Sequence, residues 1–129
     1  MVASMLPDKA FSLLIVDDEP LMTDLFRQYM TRIGYHVYVA ACGSEALDIL
    51  SEKHCAVKII VTDMSMPGMN GIDLALRIRL IDPEMQVIIT TGVDTEVDLA
   101  SLSPNIAFVL QKPYQNRTLA EKIEKVLTR

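Results

Sequence analysis

Val57-Lys58-Ile59-Ile60-Val61-Thr62 runs directly into Asp63. The run is almost wholly β-branched and does not alternate apolar with polar, so it reads as a strand buried on both faces, as in parallel sheets covered by helices. Comparable runs lie on either side: Phe11 to Val16 and Val37 to Ala40 before it, Val87 to Thr91 and Ala107 to Gln111 after it. Between them the apolar positions change to helical spacing. Met22, Leu25, Phe26, Tyr29, Met30 and Ile33 form a first stripe, closed by Gly34. A second helix opens at Gly43-Ser44, with Ser44 as N-cap, and carries Ala46, Leu47 and Leu50. A third carries Ile72, Ala75, Leu76 and Arg79, pairs Asp73 with Arg77 on its outer side, and stops at Asp82-Pro83. A short fourth is expected over Glu96 to Ser101, and Leu119, Ile123, Val126 and Leu127 mark the buried face of the last. Five βα units in succession predict an α/β fold with a parallel sheet.

The 129 residues suffice for one domain with one core, and half of them are hydrophobic. Seventeen acidic residues against twelve basic ones give a net charge of −5, a field that repels a phosphate backbone and argues against direct nucleic-acid binding. Cys42 and Cys55 have no CxxC spacing and read as free thiols in a reducing cytoplasm. No apolar run approaches the roughly 18 residues of a membrane span, so no membrane association is expected. Met1 to Ala10 reads as a leader or linker without the pattern of a signal peptide, and residues 11–129 as the single domain.

In open parallel sheets ligands bind beyond the carboxyl ends of the strands, where strand order reverses. Those ends carry Asp17 and Asp18 after the first strand, Asp63 after the third, Thr91 at the end of the fourth and Lys112 after the fifth. Crowded carboxylates repel unless a cation joins them or one takes up a proton. Magnesium, a hard ion that prefers carboxylate and water oxygens, suits them. With a metal and a lysine on one side, an aspartate can attack phosphorus while both cations neutralise the equatorial oxygens. Taken singly, each acid is more simply a solvated turn residue; Lys112 beside all three favours the chemical reading.

Four motifs in order, Leu14-Ile15-Val16-Asp17-Asp18-Glu19-Pro20, Thr62-Asp63-Met64-Ser65-Met66-Pro67-Gly68-Met69-Asn70-Gly71, Thr91-Gly92 and Lys112-Pro113-Tyr114, resemble the receiver domains of response regulators and hybrid histidine kinases. The likeness extends from Phe11 to Arg129 and implies a flavodoxin-like, doubly wound (βα)5 domain with strand order 2-1-3-4-5, standing alone or excised from a larger regulator or kinase. It implies a phosphoacceptor at Asp63 and Mg2+, or Mn2+ in its place, bound directly by Asp18, Asp63 and the Ser65 backbone carbonyl and through water by Asp17. Lys112 would pair with Asp63 at rest and with a phosphoryl oxygen afterwards. The switch hydroxyl is Thr90 or Thr91; strand alternation sends them to opposite faces, and the family's placement before a small residue, here Gly92, selects Thr91. A cis Lys112-Pro113 bond is implied as well. The domain would be no enzyme beyond its own phosphorylation and dephosphorylation, would take its phosphoryl group from a sensor histidine kinase or phosphotransfer protein, and would work in the cytoplasm by shifting a conformational equilibrium.

The sequence departs from the family in two places. The aromatic residue common three positions before the lysine is replaced by Val109, with Phe108 one position earlier. Leu102-Ser103-Pro104-Asn105-Ile106 replaces the usual small residues at the start of the fifth strand and is expected to be mobile. Met64, Met66 and Met69 read as loop packing in preference to a copper(I) site, and His36 and His54 have no assigned role. Rival functions fit less well. A pseudo-receiver would have lost an acid, the threonine or the lysine. An aspartyl-phosphate phosphatase would carry an acid where Ser65 stands. A flavin carrier would want a phosphate-binding loop where Asp17-Asp18-Glu19 stands.

Overall fold

The computed structural model describes residues 12–53, 56–92 and 99–128. Five strands, β1 (Ser12–Val16), β2 (His36–Ala40), β3 (Val57–Asp63), β4 (Gln86–Thr91) and β5 (Ile106–Gln111), form one parallel sheet ordered β2-β1-β3-β4-β5. The apolar runs predict each strand to within a residue or two; Phe11, the expected first residue, lies outside the described residues. Among the described residues four α-helices cover the sheet: α1 (Pro20–Arg32), α2 (Gly43–Lys53), α3 (Gly71–Ile81) and α4 (Asn116–Leu127).

Strand alternation divides the core into two layers. Leu14, Val16, Ile60, Val87 and Ile89 pack under α2 and α3 with Leu50, Leu74 and Ile78. Leu13, Ile15, Ile59, Val61 and Ile88 pack under α1 and α4 with Phe26, Met30, Leu119 and Ile123. Such side chains each contribute about 1.5–3 kcal/mol by leaving water, which is what holds the helices on the sheet.

The helix faces correct the sequence reading in detail. In α1, Met22 and Leu25 are exposed and Thr23 is buried instead, its hydroxyl donating to the Pro20 carbonyl at 3.0 Å. Gly34 closes α1 as expected: its φ is 104°, its N–H donates to Thr31 at 3.0 Å and the Tyr35 N–H to Met30 at 3.0 Å, a Schellman closure. Helix α2 begins at Gly43, one residue before the expected cap Ser44, and the Glu45 carboxylate takes the Ala41 N–H at 2.8 Å. Helix α3 buries Leu74, Ala75 and Ile78, with Leu76 turned to solvent. Asp73 serves a capping box with Asn70 at the start of α3 in place of the expected pair with Arg77.

The expected helix over Glu96 to Ser101 lies mostly outside the described residues, and Leu99–Leu102 forms a 3-10 turn. The stretch after it is anchored. Ser103 and Asn105 are both buried, their side chains hydrogen-bond each other, and the Asn105 amide donates to the Ala75 carbonyl of α3 at 2.9 Å. Pro104 and Leu102 face water while their neighbours bind inward, so the stretch expected to be mobile is tied to α3. No helix among the described residues is long and apolar enough to cross a membrane.

Candidate functional site

The chain runs from β1 outward to β2 and then crosses back to β3, so the order reverses between β1 and β3. Val16 pairs with Thr62 in that ladder, and the next residue on each strand is an aspartate, Asp17 and Asp63. Asp63 in turn pairs with Thr90 of β4. Past the strand ends the ladder continues: the Met64 N–H donates to the Thr90 carbonyl at 2.7 Å and the Lys112 N–H to the Thr91 carbonyl at 2.7 Å. Backbone pairing therefore fixes the starting points of all these side chains.

Carboxylate oxygens of Asp17, Asp18 and Asp63 lie within 4.8 Å of one another. Asp17 and Asp63 are buried and Asp18 is exposed, so the cluster has two walls and one open side. The Lys112 ammonium lies 3.3 Å from Asp63 Oδ2 and 3.6 Å from Asp17 Oδ2. Backbone donors hold the acids in place: the Glu19 N–H reaches Asp17 Oδ1 at 3.0 Å and the Ser65 N–H reaches Asp63 Oδ1 at 3.4 Å. Four of the predicted residues thus converge, and Ser65 follows Asp63 in the adjoining loop. Thr91 is buried at the same rim. Its side chain leaves β4 on the side of Val87 and Ile89, the α2/α3 layer, whereas Thr90 shares the α1/α4 side with Ile88.

Burial raises the Asp17 carboxyl above its ordinary value, a push that the Glu19 N–H and Lys112 oppose and do not cancel, and to which Asp63 adds. Burial alone would lower Lys112, but Asp17 and Asp63 outweigh it and hold the ammonium above its usual range. Burial thus decides the direction at Asp17, where one ammonium shared between two carboxylates does not offset it, and the two carboxylates decide it at Lys112. A divalent cation fits the donor set: hard oxygens, two of the acids buried, and more negative charge than Lys112 can neutralise.

Backbone packing holds Asp63 from below. A Cβ on Gly71 would meet the Asp63 carbonyl oxygen at 2.8 Å and the Met64 Cα at 3.0 Å, so the first turn of α3 approaches β3 with no side chain between them. The Gly71 N–H also donates to the Met64 carbonyl at 2.9 Å. The Lys112-Pro113 peptide is cis. Val109 lies in the α2/α3 layer and Phe108 in the other, where the Lys122 ammonium stands 4.8 Å from its ring centroid. The sequence reading gave no role to Tyr114, which packs in the α1/α4 layer and whose phenol is held by burial above its ordinary range against the pull of the Lys112 charge.

The response regulator receiver domain matches residues 13–124. A chemotaxis protein CheY homolog of Campylobacter jejuni is 35% identical, with 89% of this chain and 91% of the relative covered. Sporulation initiation phosphotransferase F of Bacillus subtilis is 31% identical over 89% of this chain and 92% of its own length. A CheY-like response regulator receiver domain protein of Methanospirillum hungatei superposes with a TM-score of 0.83 at 28% identity, covering 92% of this chain and 94% of the other. With the flavodoxin-like strand order and the rim of acids already in place, the chain belongs to the response regulator receiver domains of two-component signalling.

Proposed function

We propose that the chain is a phosphorylation switch whose acceptor is Asp63. The observation that carries this reading is the Lys112 ammonium bridging Asp63 and Asp17 beside the open carboxylate Asp18. An Asp63 oxygen attacks phosphorus in line with the donor, the new P–O bond forms as the donor's bond to phosphorus breaks, and the donor leaves with that electron pair. Lys112 then exchanges Asp63 for a phosphoryl oxygen, and Thr91 contributes its hydroxyl to another. Asp18, Asp63 and the Ser65 carbonyl would hold Mg2+ directly and Asp17 through water. When bound, the ion supplies positive charge opposite the transferring oxygens.

The chain acts on itself and turns over no separate substrate, as expected of a signalling module that works by population shift. A histidine kinase or phosphotransfer protein is the donor this chemistry requires, and a cytoplasmic site belongs to the same reading. Relatives named for chemotaxis and for sporulation phosphotransfer support the class of donor and leave the effector open. The test is intact mass after incubation with acetyl phosphate and Mg2+. A single phosphoryl adduct on the wild type, absent without metal and absent from Asp63→Asn, is expected. An adduct that persists on Asp63→Asn would move the acceptor elsewhere.

A further inference from the structure

Burial of Leu74, Ala75 and Ile78 holds α3 against the sheet. Apolar burial is non-directional, so it presses a helix onto a sheet without fixing how far along the strands the helix lies. A polar contact does fix it. The Asn105 amide nitrogen donates to the Ala75 carbonyl at 2.9 Å, from a residue only 1% exposed. Such a bond tolerates little sliding, because a step of one residue along a helix is already about 1.5 Å. Asn105 is itself held on three sides. The Ser103 hydroxyl donates to its Oδ1, which leaves the amide nitrogen turned toward α3. Its backbone carbonyl accepts the Val87 N–H of β4 at 2.8 Å, and the Ser103 carbonyl accepts the Ile106 N–H of β5 at 3.1 Å. Gly71 lies one helical turn before Ala75, where a Cβ would meet the Asp63 carbonyl oxygen at 2.8 Å and the Met64 Cα at 3.0 Å. The helix is therefore located at two points, its first turn against the acceptor's backbone and its middle against Asn105.

From this geometry we propose that Asn105, oriented by Ser103, is a positioning residue for phosphoryl transfer. Its hold on the Ala75 carbonyl sets how closely the first turn of α3 meets the Asp63 main chain, and so where the acceptor carboxylate stands against Lys112. The role rests on the reading of Asp63 as phosphoacceptor and acts through α3, without contact to the phosphoryl group.

Two measurements test it. The first uses the metal-free, unphosphorylated protein and reads the amide NMR shifts of Met64 and Gly71, whose N–H groups donate to the Thr90 and Met64 carbonyls along the seam between β3 and α3. Both shifts are expected to move in Asn105→Ala, and by less in Ser103→Ala, which keeps the amide and loses the group that turns it. They are expected to stay in place in Val126→Ala, which opens a cavity under α4 and lowers stability away from α3. The second is the maximal rate of phosphoryl uptake from acetyl phosphate at saturating Mg2+, at a temperature where every variant is folded. Losing one buried hydrogen bond predicts a slowing of about three- to tenfold in Asn105→Ala and none in Val126→Ala. Combined with Gly71→Ala, the slowing is expected to be smaller than the product of the two single effects, because both act at one seam. Unmoved Met64 and Gly71 shifts in Asn105→Ala would overturn the inference, as would single effects that multiply; if Asn105→Ala does not fold, the shifts in Ser103→Ala decide. A wild type that takes up no phosphoryl group would instead sink the phosphoacceptor reading, and the amide shifts would still decide whether Asn105 sets the seam.

Discussion

Asp17 carries a buried charge, and its pH behaviour can be worked out. Burial, opposed by the Glu19 N–H and Lys112, leaves its folded pKa above the ordinary 3.8. Folding therefore favours the protonated form. The stability contributed by this group is complete below the ordinary value and is lost as pH rises through the raised one. In EDTA at neutral pH, Asp17→Asn is expected to melt higher than the wild type, with a flatter loss of stability as pH rises above 3.8. A lower melting temperature would mean that the attraction of Lys112 exceeds the burial penalty. Gly71 makes a different prediction, since a methyl group there has to displace the Asp63 carbonyl at 2.8 Å or the Met64 Cα at 3.0 Å. Gly71→Ala should cost about 1–3 kcal/mol in urea unfolding and slow phosphoryl uptake, because what yields is the backbone of the acceptor.

Among the elements, α3 is the best defined by its own sequence. Asn70 and Asp73 close a reciprocal box at its start, and Asn105 binds its Ala75 carbonyl from the stretch before β5. Asn70→Ala should lower stability by about 1 kcal/mol, read as a smaller urea midpoint at unchanged m-value. The anchor at Asn105 also changes what hydrogen exchange should show: Asn105→Ala is expected to speed exchange at Ile106 and Val87, whose N–H groups donate to the Ser103 and Asn105 carbonyls, while α1 keeps its protection. Equal acceleration in α1 would indicate global destabilisation in place of a local release. In β5, alternation sends Phe108 under α4 and leaves Val109 toward α3. A branched aliphatic side chain therefore occupies the layer where the family commonly places a ring.

At the scale of the whole domain, Mg2+ at ten times its Kd should stabilise by about 1.4 kcal/mol, a melting shift on the order of 5 °C for a chain of this size. The same addition to Asp18→Ala should shift the melt by clearly less. The strands were legible because a strand buried on both faces, such as Leu13 to Val16 in β1, leaves an unbroken apolar run. The acids and Lys112 were legible because strand ends in a parallel sheet share one rim. Helix faces were read less well: Thr23 is buried only because its hydroxyl finds the Pro20 carbonyl, and Met22 and Leu25 stay in water despite their spacing. The Asn105 anchor lay outside any local reading, since its partner, the Ala75 carbonyl, is 30 residues away in α3. The contact at Gly71 has one more consequence. Side chains absorb small movements by changing rotamer, as a soft bearing does, but Asp63 and α3 meet peptide against peptide. A shift of the Asp63 main chain therefore has no cushion and drives the first turn of α3 like a pushrod, so the helix that follows the acceptor in sequence is also its stiffest mechanical load.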